Sequence, residues 1–159
     1  MEFNIRFAKA KDVSGILELI QELAAFENEP DAVDIDEEYL LKHGFGKDKT
    51  FECFVAESED DNILGMALFY NRFSTWKGLT IHLEDLIVRQ KHRNKGIGKV
   101  LFEKLIDYAK HEKINRVEWV VLDWNTTAIK FYESYGATVF KEWRTVQMNK
   151  EVIKAFGNS

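Results

Sequence analysis

The residues best placed to do chemistry form the turn Arg89-Gln90-Lys91-His92-Arg93-Asn94-Lys95, directly ahead of a glycine pair, Gly96 and Gly98. Before the turn the chain reads as a strand ending near Val88, and after it as a long amphipathic helix. The first N–H groups of a helix have no partner inside it, and the helix dipole adds partial positive charge there. Glycines at 96 and 98 leave those groups unshielded, and cationic side chains crowd the same point. Such a helix start is suited to a phosphate or pyrophosphate. A nucleotide P-loop, GxxxxGK[ST], is excluded because Val100 follows Gly98-Lys99 and Arg93 stands where the first glycine belongs. The dinucleotide fingerprint GxGxxG fails as well, since Leu101 fills the third glycine position.

The elements that must position this turn follow from periodicity. Phe3, Ile5 and Phe7 alternate with polar residues, giving a first strand. From Asp12 the period changes: Val13, Ile16, Leu17, Ile20, Leu23 and Ala24 make a helical face ending near Phe26-Glu27. Gly15 inside it marks close packing or a break. An acidic segment follows, from Glu27 to Glu38, broken by Pro30 and running into a short helix from Asp36 to His43 that Gly44 and Gly46 end. It reads either as a solvated loop or as a lip that attracts a polycation. Phe51–Glu57, Ile63–Phe73 and Leu79–Val88 form an antiparallel meander, with turn residues at 59–62 and a connection Ser74-Thr75-Trp76-Lys77-Gly78. The helix after Gly96 sets Ile97, Val100, Leu101, Leu105 and Tyr108 on one side. Arg116–Asp123 then reads as a central strand parallel to its predecessor. Asn125 is a good N-cap for a helix over 126–135, closed by Gly136. Thr138–Glu142 and Thr145–Lys150 read as a closing hairpin, with a short helix or tail from Glu151.

Composition narrows the function classes. A chain of 159 residues, 45% apolar and with one proline, predicts a single domain over 1–159 with a substantial core and no linker. No apolar run is long enough to span a bilayer, and the start lacks a signal-peptide core, so a cytoplasmic protein with no membrane partner is expected. The lone Cys53, among Phe51, Phe54 and Val55, excludes an intrachain disulfide and reads as a buried structural thiol. The four histidines lack metal-ligand spacing, so no metal is expected. A net charge of −5 argues against nucleic acid as a partner and suits a cationic substrate. The basic turn is a local exception in an acidic chain.

Arg93-x-x-Gly96-x-Gly98, after a strand and before an amphipathic helix, resembles the acyl-CoA pyrophosphate motif [QR]-x-x-G-x-[GA] of the GNAT superfamily of N-acetyltransferases. The element order looks like that whole fold: an α/β architecture with a central mixed, mostly antiparallel sheet of about seven strands flanked by helices. ELAAFE at 22–27, LLKHGFG at 40–46, FSTWKG at 73–78, LEDLIV at 83–88 and WNTTAIKFYESYGA at 124–137 resemble the diamine (spermidine/spermine) and thialysine acetyltransferase branch. Members of that branch often carry glycine where Asn94 stands; asparagine tolerates the left-handed conformation such a position needs.

The resemblance implies that acetyl-CoA and an amine meet directly, without a covalent acetyl-enzyme. A primary amine has a pKa near about 10.4 and arrives protonated, so it needs a proton acceptor, and the leaving thiolate benefits from a donor. Glu84 matches the branch's base and Tyr132 its general acid. Strand alternation puts Asp85 on the opposite face from Glu84 unless a bulge intervenes, as it typically does in this fold. For acetyl-CoA the resemblance implies main-chain pairing at Leu86, Ile87 and Val88, the loop Arg93, Asn94, Lys95, Gly96, Ile97, Gly98 and Lys99, and Asn125 and Tyr132. For the amine it implies Phe26, Glu27, Glu84, Asp85, Trp119 and Glu142. A homodimer is expected from the branch. A protein N-terminal or lysine acetyltransferase and a non-catalytic acyl-CoA-binding module are the competing readings.

Overall fold

Alternating Phe3, Ile5 and Phe7 produce strand β1 (Phe3–Phe7), the first of five in a computed structural model that describes residues 2–60 and 62–157. The chain divides into two compact units, Met1–Val120 and Val121–Ser159. The first holds β1, α1 (Val13–Phe26), α2 (Glu37–Phe45), β2 (Glu52–Ser58), β3 (Ile63–Ser74), β4 (Gly78–Val88), α3 (Ile97–His111) and β5 (Val117–Glu118). Strand order follows chain order: β1 to β4 pair antiparallel, and α3 carries the chain across to β5, which runs parallel to β4.

Local chemistry sets the helix ends. The Asp36 carboxylate accepts from the Tyr39 N–H at 2.8 Å and starts α2. Helix α1 closes where Glu27 N–H donates to the Leu23 carbonyl at 2.9 Å and Asn28 turns to φ 65°. Gly15 lies where a Cβ would sit 3.1 Å from Ile63 Cγ1, so its absence lets α1 approach the sheet closely.

The sheet buries both faces. On one, Ile16 and Leu19 of α1 pack in a cluster with Cys53, Val55, Met66, Leu68 and Ile87. On the other, Phe54 and Phe69 meet the ring of Tyr108 on α3 at 5.8 and 5.3 Å. Each such aliphatic or aromatic residue contributes about 1.5–3 kcal/mol on burial. Position 100 departs from the periodicity reading: Val100 is exposed, and Phe102 takes the buried place, its ring meeting Trp119 edge-on.

The second unit holds α4 (Thr126–Ser134) and α5 (Lys150–Ala155). Asn125 Oδ1 accepts from the Ala128 N–H at 3.2 Å, and Gly136 at φ 84° ends α4 as expected.

Among the described residues the strand count is five rather than about seven. The strand expected over Arg116–Asp123 pairs only at Val117 and Glu118, where Arg72 and Arg116 hold the Glu118 carboxylate. The hairpin expected over 138–150 is absent: no residue from 138 to 149 is in a strand. The large apolar residues of this stretch, Phe140, Trp143 and Val146, are all exposed. An isolated two-stranded hairpin without a buried face is marginal in water.

Candidate active site

Strand β4 delivers the two acids. Directly opposed residues on antiparallel strands project to the same face. Leu83 is opposite Phe69, on the α3 face, whereas Asp85 is opposite Leu68, on the α1 face. Residues two apart normally share a face; here they do not, because the register slips between Leu68 and Phe69 and Glu84 becomes the extra residue of a bulge. His82 is opposite Tyr70, on the face away from Phe69. Glu84 joins them, accepting a hydrogen bond from the Tyr70 hydroxyl at 2.9 Å. Without the bulge the two acids would point apart; with it both serve the face that carries α1.

Their environments differ. Glu84 is exposed. Asp85 is mostly shielded among the apolar side chains of the α1 face, and its carboxyl is pushed up to about 7 by burial, then by the charges of Glu84 and Glu27. Burial also raises Glu27, at the C-terminal end of α1. Three acids thus gather here, and among the described residues no lysine or arginine is paired with them, an arrangement that favours an incoming ammonium. The rest of the acidic segment behaves as a solvated loop, with Glu29, Asp31, Asp34, Glu37 and Glu38 exposed.

The glycine turn follows within a few residues. Asn94 adopts φ 61° and Gly96 φ 80°, the left-handed positions the loop needs. Gly96 is the N-cap of α3 and supplies no side-chain cap, so the first N–H groups of the helix stay open. At Gly98 a Cβ would meet only Val88 Cγ2, at 3.5 Å. Local desolvation, with the cations Lys95, Lys91 and Arg89, holds the His92 imidazole below its ordinary pKa. Not every cation of the turn is available: Arg89 donates through Nε to the Ile63 carbonyl at 2.7 Å and pairs with Glu18. Arg93 donates through Nε to the Val88 carbonyl at 3.1 Å while its guanidinium lies 4.9 Å from the centre of the Phe26 ring. Phe26, expected at the amine, thus meets the arginine expected at the pyrophosphate.

Beyond Ile81 and His82, the edge of β4 through Leu86, Ile87 and Val88 has no strand partner among the described residues. Trp119 is set against Phe102 of α3. In the second unit, Asn125 uses its side-chain oxygen on the α4 cap, Tyr132 is buried with its phenol pushed up to about 12 by that burial, and Glu142 is exposed.

Tyr70 and His82 were not singled out from the sequence. Two signals could have found them: His82 lies two residues before Glu84 on one strand, and the meander brings Tyr70 opposite.

Residues 16–137 match the Acetyltransferase (GNAT) family. The chain is 36% identical to a thialysine N-epsilon-acetyltransferase of Bos taurus, over 94% of each chain. It is 35% identical to spermidine/spermine N(1)-acetyltransferase-like protein 1 of Homo sapiens, over 95% of this chain but 23% of that longer one. In fold it is similar to an integron cassette protein from the mobile metagenome of V. cholerae, with a TM-score of 0.80 and 24% identity over 100% of this chain and 99% of the other.

Proposed function

The chain belongs to the acetyltransferase (GNAT) family, and we propose that it moves the acetyl group of acetyl-CoA onto a primary amine of a small cationic substrate. The substrate class is a polyamine, a diamine or a thialysine-like molecule, in keeping with the names of the relatives. The observation that carries this reading is the bulge that turns Glu84 and Asp85 to one face, with Glu27 close enough to raise Asp85 further. The family match runs from the first compact unit into the second, as far as residue 137, and we read the two as one catalytic domain.

The residues fit acetyl-CoA. Open N–H groups at Ile97, Gly98 and Lys99, with Arg93, Asn94, Lys95 and Gly96 around them, suit its pyrophosphate. The unpaired edge at Leu86, Ile87 and Val88 suits its amide-bearing arm, as an added strand would. Asn125 is assigned to the same arm in this reading. Acetyl-CoA supplies the thioester carbonyl carbon.

Asp85, Glu27 and Glu142 hold the cationic substrate, with Phe26 as an aromatic neighbour; Trp119, packed on Phe102 of α3, belongs to the other face of the sheet and is not assigned to the amine. Glu84 takes a proton from the ammonium, directly or through a water, leaving a lone pair on nitrogen. That lone pair attacks the carbonyl carbon; the C–N bond forms and the C–S bond breaks. Tyr132 gives its phenolic proton to the departing sulfur, and the nitrogen loses its second proton as the amide forms, which returns a proton to the tyrosinate. A phenol at about 12 remains protonated at neutral pH and so is loaded as a donor.

The test is a pair of pH profiles with acetyl-CoA and an amine panel (spermidine, putrescine, thialysine, lysine, amino-terminal peptides), products detected by mass. Bulk base can deprotonate the amine when Glu84 is lost, so Glu84→Gln recovers toward the amine's own pKa. Raising pH cannot replace a donor to sulfur, so Tyr132→Phe stays slow throughout, by roughly 10²–10⁴. A Glu84→Gln profile parallel to wild type removes Glu84 as base, and a normal kcat in Tyr132→Phe returns the tyrosine to the core.

A further inference from the structure

Three side chains on the α1 face of β3 and β4 form a cluster that the acetyl-transfer scheme leaves unused in part. The Tyr70 hydroxyl donates to Glu84 Oε2 at 2.9 Å. His82 Nε2 lies 3.6 Å from the same oxygen. The Tyr70 and His82 rings lie against each other, centres 5.3 Å apart and planes tilted by 32°. Both contacts therefore fall on Oε2, and neither falls on Oε1.

The protonation of His82 follows from its other nitrogen. His82 Nδ1 is buried and has no hydrogen-bond partner among the described residues. A buried N–H without an acceptor costs more than a buried lone pair whose ring proton is used elsewhere. The proton accordingly sits on Nε2, where it faces Glu84. A hydrogen bond from the Tyr70 hydroxyl and a longer contact at 3.6 Å from His82 Nε2 thus converge on one carboxylate oxygen, from two rings packed together across neighbouring strands.

We propose that Tyr70 and His82 are positioning residues for Glu84, holding it by Oε2 so that Oε1 is presented to the amine. A bulged glutamate on an exposed strand surface has several rotamers open to it, and each unproductive one removes the proton acceptor from reach. The hydroxyl fixes the carboxylate, and the imidazole fixes both the carboxylate and the ring that carries the hydroxyl. Neither Tyr70 nor His82 touches substrate in this scheme; each acts through Glu84. The Tyr70 phenol is pushed up to about 12, by burial first and then by the hydrogen bond and charge of Glu84, so it stays a donor throughout the working range.

The proposal rests on the reading of Glu84 as the proton acceptor, and two measurements separate the two. The first is kinetic. Tyr70→Phe keeps the ring on His82 and removes only the hydroxyl; kcat falls by roughly tenfold or more, the worth of one hydrogen bond to a charged group, while the KM for acetyl-CoA is unchanged. The same substitution in a Glu84→Ala background is silent. Losses that multiply, or a Tyr70→Phe enzyme with lower Tm but intact kcat, overturn the proposal. His82→Phe, which keeps a ring against Tyr70, gives a smaller fall in kcat that is also silent without Glu84. The second measurement needs no activity: the Tyr70 phenol is titrated by NMR with 13Cζ-labelled tyrosine. In Glu84→Ala it titrates lower by roughly one pH unit, because an acceptor and a negative charge are gone. An unmoved titration refutes the pinning whatever the kinetics show. A normal rate in Glu84→Ala with a shifted Tyr70 instead refutes Glu84 as base and, with it, the purpose assigned to the pinning.

Discussion

Asp85→Asn makes the free protein more stable at alkaline pH and not at acid pH. Asp85 moves from an ordinary 3.8 to about 7 on folding, about three units, because its charge is buried beside two other acids. At 1.36 kcal/mol per unit, the ionised carboxylate costs the fold at most about 4 kcal/mol. The sign follows from proton counting: between 3.8 and 7 the native state binds a proton at Asp85 that the unfolded chain has lost. Stability therefore falls as pH rises through this window, and the full cost is present above 7. Asparagine carries no charge but leaves a part-buried amide to satisfy, a cost of about 1–3 kcal/mol. The net gain at pH 8.5 is then about 1–3 kcal/mol, or roughly 2–12 °C in Tm for a chain of this size. At pH 4.5 little charge is relieved and the variant is level with wild type or below it. The assay is thermal unfolding by circular dichroism across pH 4–9 without substrate. The difference between the proteins should grow by about 1.4 kcal/mol per pH unit below 7 and then flatten. A difference independent of pH refutes the reasoning, since it would mean that Asp85 ionises in the fold as easily as in the unfolded chain.

Glu27→Gln raises KM for a diamine more than for a monoamine, measured by steady-state acetylation, because the lost charge faces the distal ammonium; equal effects return Glu27 to the solvated loop. Gly98→Val folds, since its Cβ meets only Val88 at 3.5 Å, but its γ-methyls crowd the α3 start. Acetyl-CoA affinity by calorimetry should fall tenfold or more, the loss of roughly one charge-assisted hydrogen bond to a phosphate. Diamine binding at pH 6.5 expels a proton from Asp85, so calorimetry in buffers of different ionisation enthalpy should show release, absent in Asp85→Asn.

What the sequence made legible is what repeats locally. The meander, α1, α3 and α4 each carry a period and a terminating residue, and they stand within a residue or two of expectation. Asn94 adopts the left-handed φ expected of a position where the branch it resembles often carries glycine. The failures share a cause. Arg116–Asp123 and 138–150 have strand composition, but a strand exists only where an edge accepts its ladder, and composition holds no record of that. Val100 and Phe102 flank the buried stripe of Ile97, Leu101 and Leu105 on opposite sides, and the neighbour, here Trp119 on Phe102, decides which flank is covered.

The candidate site shows the same division more sharply. Gly96 and Gly98 could be read directly because their chemistry lies in the main chain of a single loop. Glu84 and Asp85 could be named from their motif, yet alternation alone would have turned them to opposite faces. One residue of register slip between Leu68 and Phe69 decides whether one acid or two serve the α1 face. The slip also sets Glu84 against Tyr70, 14 residues away in the chain. Pinning at one oxygen and charge crowding at its neighbour both descend from that slip. In the proposed scheme Glu84, exposed and held, takes the proton, while part-buried Asp85 exchanges its own for a cation. A strand without the bulge would keep both residues and lose the difference between them.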